Sequence, residues 1–229
     1  MVQTIDLKFE APKKTSAADK LLEAAGPLFA DRPFDVVSTR ELADAAGVNL
    51  SAISYHFGSK EGLYEAIFKK IIYDLAPVRA SLSVLVEASL PLAANNVEQQ
   101  RIIISTFVHN LITVITDDTN PRWRMRLVFE EVQRQGPCFD LVLENHINIV
   151  HDLVGRLVGL ILDKNPSSDD VKLLTQAILG LCLQHGLNES LIKRRLNWSR
   201  IGPEELEIIK QSTSRHVIAM LGITELSKA

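Results

Sequence analysis

The sequence predicts an all-α fold, divided into a small N-terminal part and a larger C-terminal one. Apolar residues recur at helical spacing along almost every long segment, and no segment alternates over the length of a strand. Stop signals fall at regular intervals, at Pro91, Asn120-Pro121, Gly136-Pro137, Asn165-Pro166 and Gly202-Pro203. The composition is that of an ordinary globular chain of 229 residues, 46% hydrophobic and 23% charged, long enough for a sizeable core.

The elements follow in order. Residues 1–15 are polar and read as a flexible arm; charges interrupt MVQTIDLKFEAPKK before an apolar stretch forms, which argues against a signal peptide. Ser16 can cap a first helix whose apolar face is Leu21, Ala25, Leu28 and Phe29. Gly26-Pro27 sits inside that pattern, so the helix either kinks there or starts late. Ser38-Thr39-Arg40-Glu41 is a capping box opening a short second helix, which Gly47 ends. Asn49 caps a third short helix, to about His56. Gly58-Ser59 breaks the chain, and Ser59 caps a fourth helix from Lys60 through Asp74 or beyond, ended or bent by Pro77. Further helices are expected at 78–90, 98–117, 121–135, 138–163, 169–187 and 203–221, with Pro121 and Pro203 in first turns. The division is an arm (1–15), a head (16–72) and a helical body (73–229).

The informative stretch is STRELADAAGVNLSAISYHFGSK, Ser38 to Lys60. Two short helices pack through a tight turn only if the crossing residue is small and the turn accepts positive φ. Ala43 and Gly47 meet these needs, and Leu42, Val48 and Ile53 supply the apolar contacts that fix the angle. This is the helix-turn-helix pattern. Its second helix is short and polar. Such a helix in a major groove reads base edges near its N-terminus. Leu50 and Ala52 suit thymine methyls, while Ser51 and Ser54 bond to several bases and specify weakly. Tyr55, His56 and Lys60 suit phosphates.

The run AGVNLSAISYHFGSKEGLYEAI resembles the TetR family signature, above all at Ala46-Gly47-Val48, Tyr55-His56-Phe57 and Ser59-Lys60-Glu61-Gly62-Leu63. The segment Asn49 to Lys60 is most similar to the CecR-type branch. The specific motif covers about 16–72; beyond it the likeness rests on Phe129-Glu130, Pro137 and Phe139. The resemblance implies a three-helix DNA head, an all-α ligand-binding and dimerisation body, and a dimer built from the last two long helices. It carries phosphate contacts to Thr39, Tyr55, His56 and Lys60, and base-proximal contacts to Leu50, Ser51 and Ser54, with Asn49 opening the same helix. It also suggests a toxic or antibiotic-like effector tied to export. Three positions depart from the family: Ser54 stands where an aromatic is common, Gly26-Pro27 interrupts a helix that is usually continuous, and Pro33 replaces a terminating glycine.

Charge gives no independent support. The chain has net charge -3, and residues 1–72 hold nine Lys/Arg against ten Asp/Glu, so the DNA reading rests on the motif. No cofactor is expected. The histidines, including His109, His146, His151, His185 and His216, lack metal-ligand spacing, and Cys138 and Cys182 read as free thiols in a reducing cytoplasm. No GxSxG, GxGxxG or P-loop is present, which argues against an enzyme. No run of about 18 apolar residues suggests a membrane span. The segment PRWRMRLVFEEVQRQ has two readings: a solvated helix with pairs such as Arg126–Glu130, or a pocket wall. On the second, an apolar or amphipathic effector meets His109, Trp123, Arg126, Phe129, Glu130 and Gln184. The self-contacting surface is expected on Val171 to Leu187 and Glu205 to Leu221, including Leu174, Ile178, Leu181, Ile208, Ile209 and Val217.

Overall fold

The computed structural model describes residues 16–93, 96–117 and 121–223, so the expected arm at 1–15 lies outside the described residues. All regular elements among them are helical. The chain divides into two compact units between Ile67 and Phe68, inside a helix.

In the head, α1 spans Ala17–Asp31. Ser16 and Asp19 form its capping box. The helix starts at Ala17 and carries Pro27 within it, so the late start is excluded. A 3-10 turn, Phe34–Val36, leads into α2, Thr39–Ala46. Next come α3, Ser51–Phe57, and α4, Lys60–Asp74. Leu21, Ala25, Phe29, Leu42, Ala43, Ile53, Leu63, Tyr64 and Ile67 are buried. Phe29, Phe34 and Tyr64 form an aromatic cluster with centroids 4.8–5.8 Å apart.

In the body, α5 is Ala76–Ala93, α6 Val97–Thr116 and α7 Arg122–Arg134. A short α8, Phe139–Val142, runs through a π-helical turn, Leu143–Ile147, into α9, Asn148–Leu162. Then follow α10, Asp169–Leu187, α11, Glu189–Leu196, and α12, Pro203–Met220. α6 packs against α5, α10 and α12, and α9 against α5 and α10. Their shared core includes Ile104, Phe107, Val108, Ile112, Leu157, Ile178, Cys182 and Val217.

Several boundaries correct the sequence expectations. Pro91 does not stop its helix, which runs on to Ala93. The single helix expected over 138–163 contains a π-helical turn, an extra residue that the ladder accommodates locally. α11 was missed; it is eight residues long and none of its side chains is buried. Only Leu75 separates α4 from α5. By length and composition the run Lys60–Ala93 would suffice to cross a membrane, although no unbroken run of about 18 apolar residues lies in it. Lys69, Lys70, Asp74, Arg79 and Glu87 interrupt it. Each would cost about 2.5–3.5 kcal/mol at a bilayer centre.

Within the body, Arg79 on α5 stands 3.1 Å from Nδ1 of His146 in the π-helical turn. Burial, then the Arg79 charge and His151, push the His146 imidazole down to about 4. The folded state therefore prefers the neutral ring. Between pH 6.5 and 4 the unfolded chain takes up a proton that the folded chain refuses, so stability is full above pH 6.5 and falls toward pH 4. Thermal melts across this range should show His146→Gln losing less stability on acidification than the wild type. Identical pH dependence in the two proteins would refute the role of this ring.

Candidate DNA-binding surface

The helix pair is set by its turn. Ser38 caps α2 with its hydroxyl, and Glu41 returns the bond to the Ser38 backbone N–H at 2.8 Å. That N–H, then the Arg32 guanidinium and the Ser38 hydroxyl, hold the Glu41 carboxyl at about 2. At the other end Gly47 adopts φ 62 and ψ 40. The Val48 N–H reaches Ala43 O at 3.0 Å and the Gly47 N–H reaches Asp44 O at 3.1 Å, a Schellman closure that turns the chain sharply. Ala43 is 2% exposed, as the crossing demands.

α3 buries a single side chain, Ile53. The rest of its face is open: Leu50 is 48% and Tyr55 84% exposed, and Ser51, Ser54 and His56 are exposed too. Asn49 is not the N-cap that the sequence suggested: Leu50 is, without a side-chain cap, and Asn49 stands one residue before it. α3 begins at Ser51, and the Asn49 Oδ1 accepts from both the Ser51 N–H and hydroxyl at 3.1 Å. Tyr55 and His56 meet edge to face at 4.8 Å. Thr39, half-buried, is the first residue of α2. Arg40 beside it is exposed and was not singled out from sequence. It is the only Lys or Arg on α2 or α3. Lys60 opens α4, where the Ser59 hydroxyl caps the Gly62 N–H at 3.1 Å. Its ammonium donates to the Phe34 and Val37 carbonyls at 2.8 and 2.9 Å.

This architecture, two short capped helices across a left-handed glycine with the second exposing its polar face, matches known proteins. The family model of bacterial regulatory proteins, tetR family, matches residues 21–67. That of the HTH-type transcriptional dual regulator CecR, C-terminal domain, matches residues 99–223, more than half of the chain. The chain belongs to the TetR family, in its CecR-type branch. It is thus a DNA-binding transcriptional regulator and not an enzyme. The dual regulator CecR of Shigella flexneri is 26% identical over 94% of this chain and 96% of its own. Among solved structures, the ketosteroid regulator KstR2 of Mycobacterium tuberculosis superposes with TM-score 0.54 at 18% identity, covering 93% of this chain and 96% of that one. AibR, solved with isovaleryl coenzyme A and operator DNA, gives TM-score 0.54 at 18% identity, covering 88% and 98%.

In this TetR-family body the six expected effector contacts are spread over three helices. His109 on α6 and Trp123 on α7 are half-buried, while Arg126, Phe129 and Gln184 are exposed. Glu130 pairs with Arg134 at 2.9 Å. A cavity of about 320 Å³ lies between α9, the loop after it and α10, lined by His151, Arg156, Lys172 and Thr175 among others, and none of the six lines it. Sequence reasoning missed a different group. Arg124 Nε, Thr175 Oγ1, His185 Nδ1 and Ser214 Oγ are buried with no hydrogen-bond partner among the described residues. Arg124 and His185 are sequence neighbours of the expected Arg126 and Gln184, turned inward by helical register.

The DNA head depends on one close approach. A Cβ at Gly62 would stand 2.0 Å from the Phe57 carbonyl oxygen, whereas one at Gly47 meets nothing within 4 Å. Gly62→Ala should therefore cost about 1–3 kcal/mol through overpacking of backbone. Gly47→Ala should cost only about 1 kcal/mol, from its left-handed dihedral. Thermal melts rank the two; a milder effect at Gly62 contradicts the packing argument.

Proposed function

We propose that this TetR-family regulator is a repressor that binds a palindromic operator as a homodimer in the cytoplasm and is released by a small effector. The observation that carries it is α3, anchored by Ile53 alone and presenting Leu50, Ser51 and Ser54 for base edges. Thr39, Tyr55 and His56, joined by Arg40, serve the phosphates. Phosphate contacts position the head and base contacts specify the sequence. Arg40→Ala should weaken binding to every sequence and reduce the salt slope by about one. Ser51 substitutions should instead change base preference by about 1–3 kcal/mol per affected position. Binding to selected and scrambled duplexes over a salt series separates the two effects.

One recognition helix buries too little surface for tight operator binding, which argues for two half-sites about 34 Å apart. The surface supporting a dimer is smaller than the sequence suggested. Ile178, Ile209 and Val217 are buried in the protomer's own core, and Leu174 and Leu181 are partly buried against it. Ile208 stays 55% exposed, joined by Leu173 at 70% and Leu183 at 37%. Light scattering at micromolar concentration should give a dimer, and Leu173→Glu with Ile208→Glu should give a folded monomer that no longer binds the palindrome. A wild-type monomer overturns the dimeric reading.

The effector is an apolar or amphipathic molecule bound in the body. Four buried polar atoms without a hydrogen-bond partner among the described residues support a body in which a ligand supplies missing partners, although Arg124 also pairs with Asp74 at 3.0 Å. AibR, with isovaleryl coenzyme A and operator DNA, holds an acyl ligand on the same fold. His109, Trp123, Arg126, Phe129, Glu130 and Gln184 remain the proposed surroundings, with Arg124 and His185 added as inward anchors. Thermal shift against hydrophobic and drug-like compounds, followed by gel shift, tests this. Compounds that bind yet leave operator affinity unchanged contradict release. CecR being a dual regulator favours a second reading, activation at some promoters, which a transcription assay with and without the chain resolves.

A further inference from the structure

The head holds few cations, and one of them is committed internally. The Lys60 ammonium donates to the Phe34 and Val37 carbonyls at 2.8 and 2.9 Å, and stands 4.2 Å from the centroid of the Phe34 ring. An ammonium has three protons and no acceptor, so two are already used. Bonds from a cation to carbonyls are stronger than neutral ones, and the ring face adds attraction on a third side. The segment so held is short. Phe34 packs on Phe29 and Tyr64, Val37 is fully buried, and the next residue, Ser38, caps α2. Thr39 and Arg40 follow at once. Lys60 is therefore bonded to the one stretch of backbone whose position decides where α2 begins.

We propose that Lys60 is a positioning residue for DNA binding: it ties the first turn of α4 to residues 34–37 and thereby places Thr39 and Arg40 for the phosphates, without contacting DNA itself. This rests on the DNA-binding reading above and replaces the direct phosphate contact expected of Lys60. A phosphate that drew the ammonium out of this position would leave the Phe34 and Val37 carbonyls without these donors.

The test uses the whole chain, a duplex that the wild type selects from a random pool, and a scrambled duplex. K60M keeps the apolar stem and removes the donors. At a temperature where circular dichroism shows K60M folded, affinity for the selected duplex should fall by about tenfold, about 1.4 kcal/mol. The salt slope should stay at the wild-type value. T39A should add little in the K60M background, because the two act in series. A slope reduced by about one, with K60M and T39A additive, would overturn the proposal in favour of direct phosphate contact. Unchanged operator affinity in folded K60M would overturn it in favour of a purely structural bond. If K60M does not fold, the wild-type complex decides by nitrogen-15 NMR. Scalar coupling from Lys60 Nζ to the Phe34 and Val37 carbonyl carbons supports positioning, and coupling to phosphorus overturns it. A wild-type chain that selects no duplex refutes the DNA-binding reading, not this one.

Discussion

α3 is seven residues long and buries one side chain. A helix with one anchor has no ridge of packed residues to fix its axis, so its orientation is imposed from its ends. The Schellman closure at Gly47 fixes where it begins. The approach of the Phe57 carbonyl to Gly62 fixes where it stops, because only a residue without a side chain lets α4 start there. Ile53 then sets rotation about the axis, and the polar side chains are left on the outside. Freed from packing, those side chains can vary in type without disturbing the head. The rigidity of the reading surface therefore comes from backbone geometry around it.

The body answers a different constraint. α6 is surrounded by α5, α10 and α12, and so buries a wide apolar stripe. α10 and α12 commit one face each to this core and leave Leu173, Leu183 and Ile208 outside. Polar residues among the buried ones, Thr175, Thr213 and Ser214, reduce the hydrophobic gain there. His185 bonds to Thr213 at 2.9 Å through Nε2 and leaves Nδ1 without a partner among the described residues. A core optimised for stability alone would carry aliphatic residues at these places.

What the sequence revealed was local chemistry. The Ser16 cap, the Ser38–Glu41 box and the glycine at 47 act over three to five residues, so their spacing alone exposes them. The proline rule failed at Pro91 because a proline removes one donor, and eighteen residues of helix absorb that loss. The individual apolar positions of α10 and α12 were legible, but their division between the protomer's core and the outside was not, since that depends on α6 passing beside them. Lys60 is the clearest case. Its place in the motif suggested a phosphate, and only the folded path of residues 34–37 shows what its ammonium meets.

Charge and geometry together bear on the proposed release. Arg32 pairs with Glu41, and Lys60 bonds to backbone, so little cationic charge in the described head is left for phosphates. Non-specific attraction, which scales with the number of phosphates neutralised, is correspondingly small. In the proposed dimer, affinity would then come from the simultaneous fit of two reading helices, and fit is sensitive to their spacing. An effector that disfavours the matched spacing by about 2.7 kcal/mol lowers operator affinity about 100-fold. A head rich in surface cations would resist this, since its charges would hold DNA in either arrangement. The near-neutral balance of residues 1–72 is thus no argument against a DNA-binding role. On the proposed release mechanism, it would let a ligand of modest differential affinity dislodge the head.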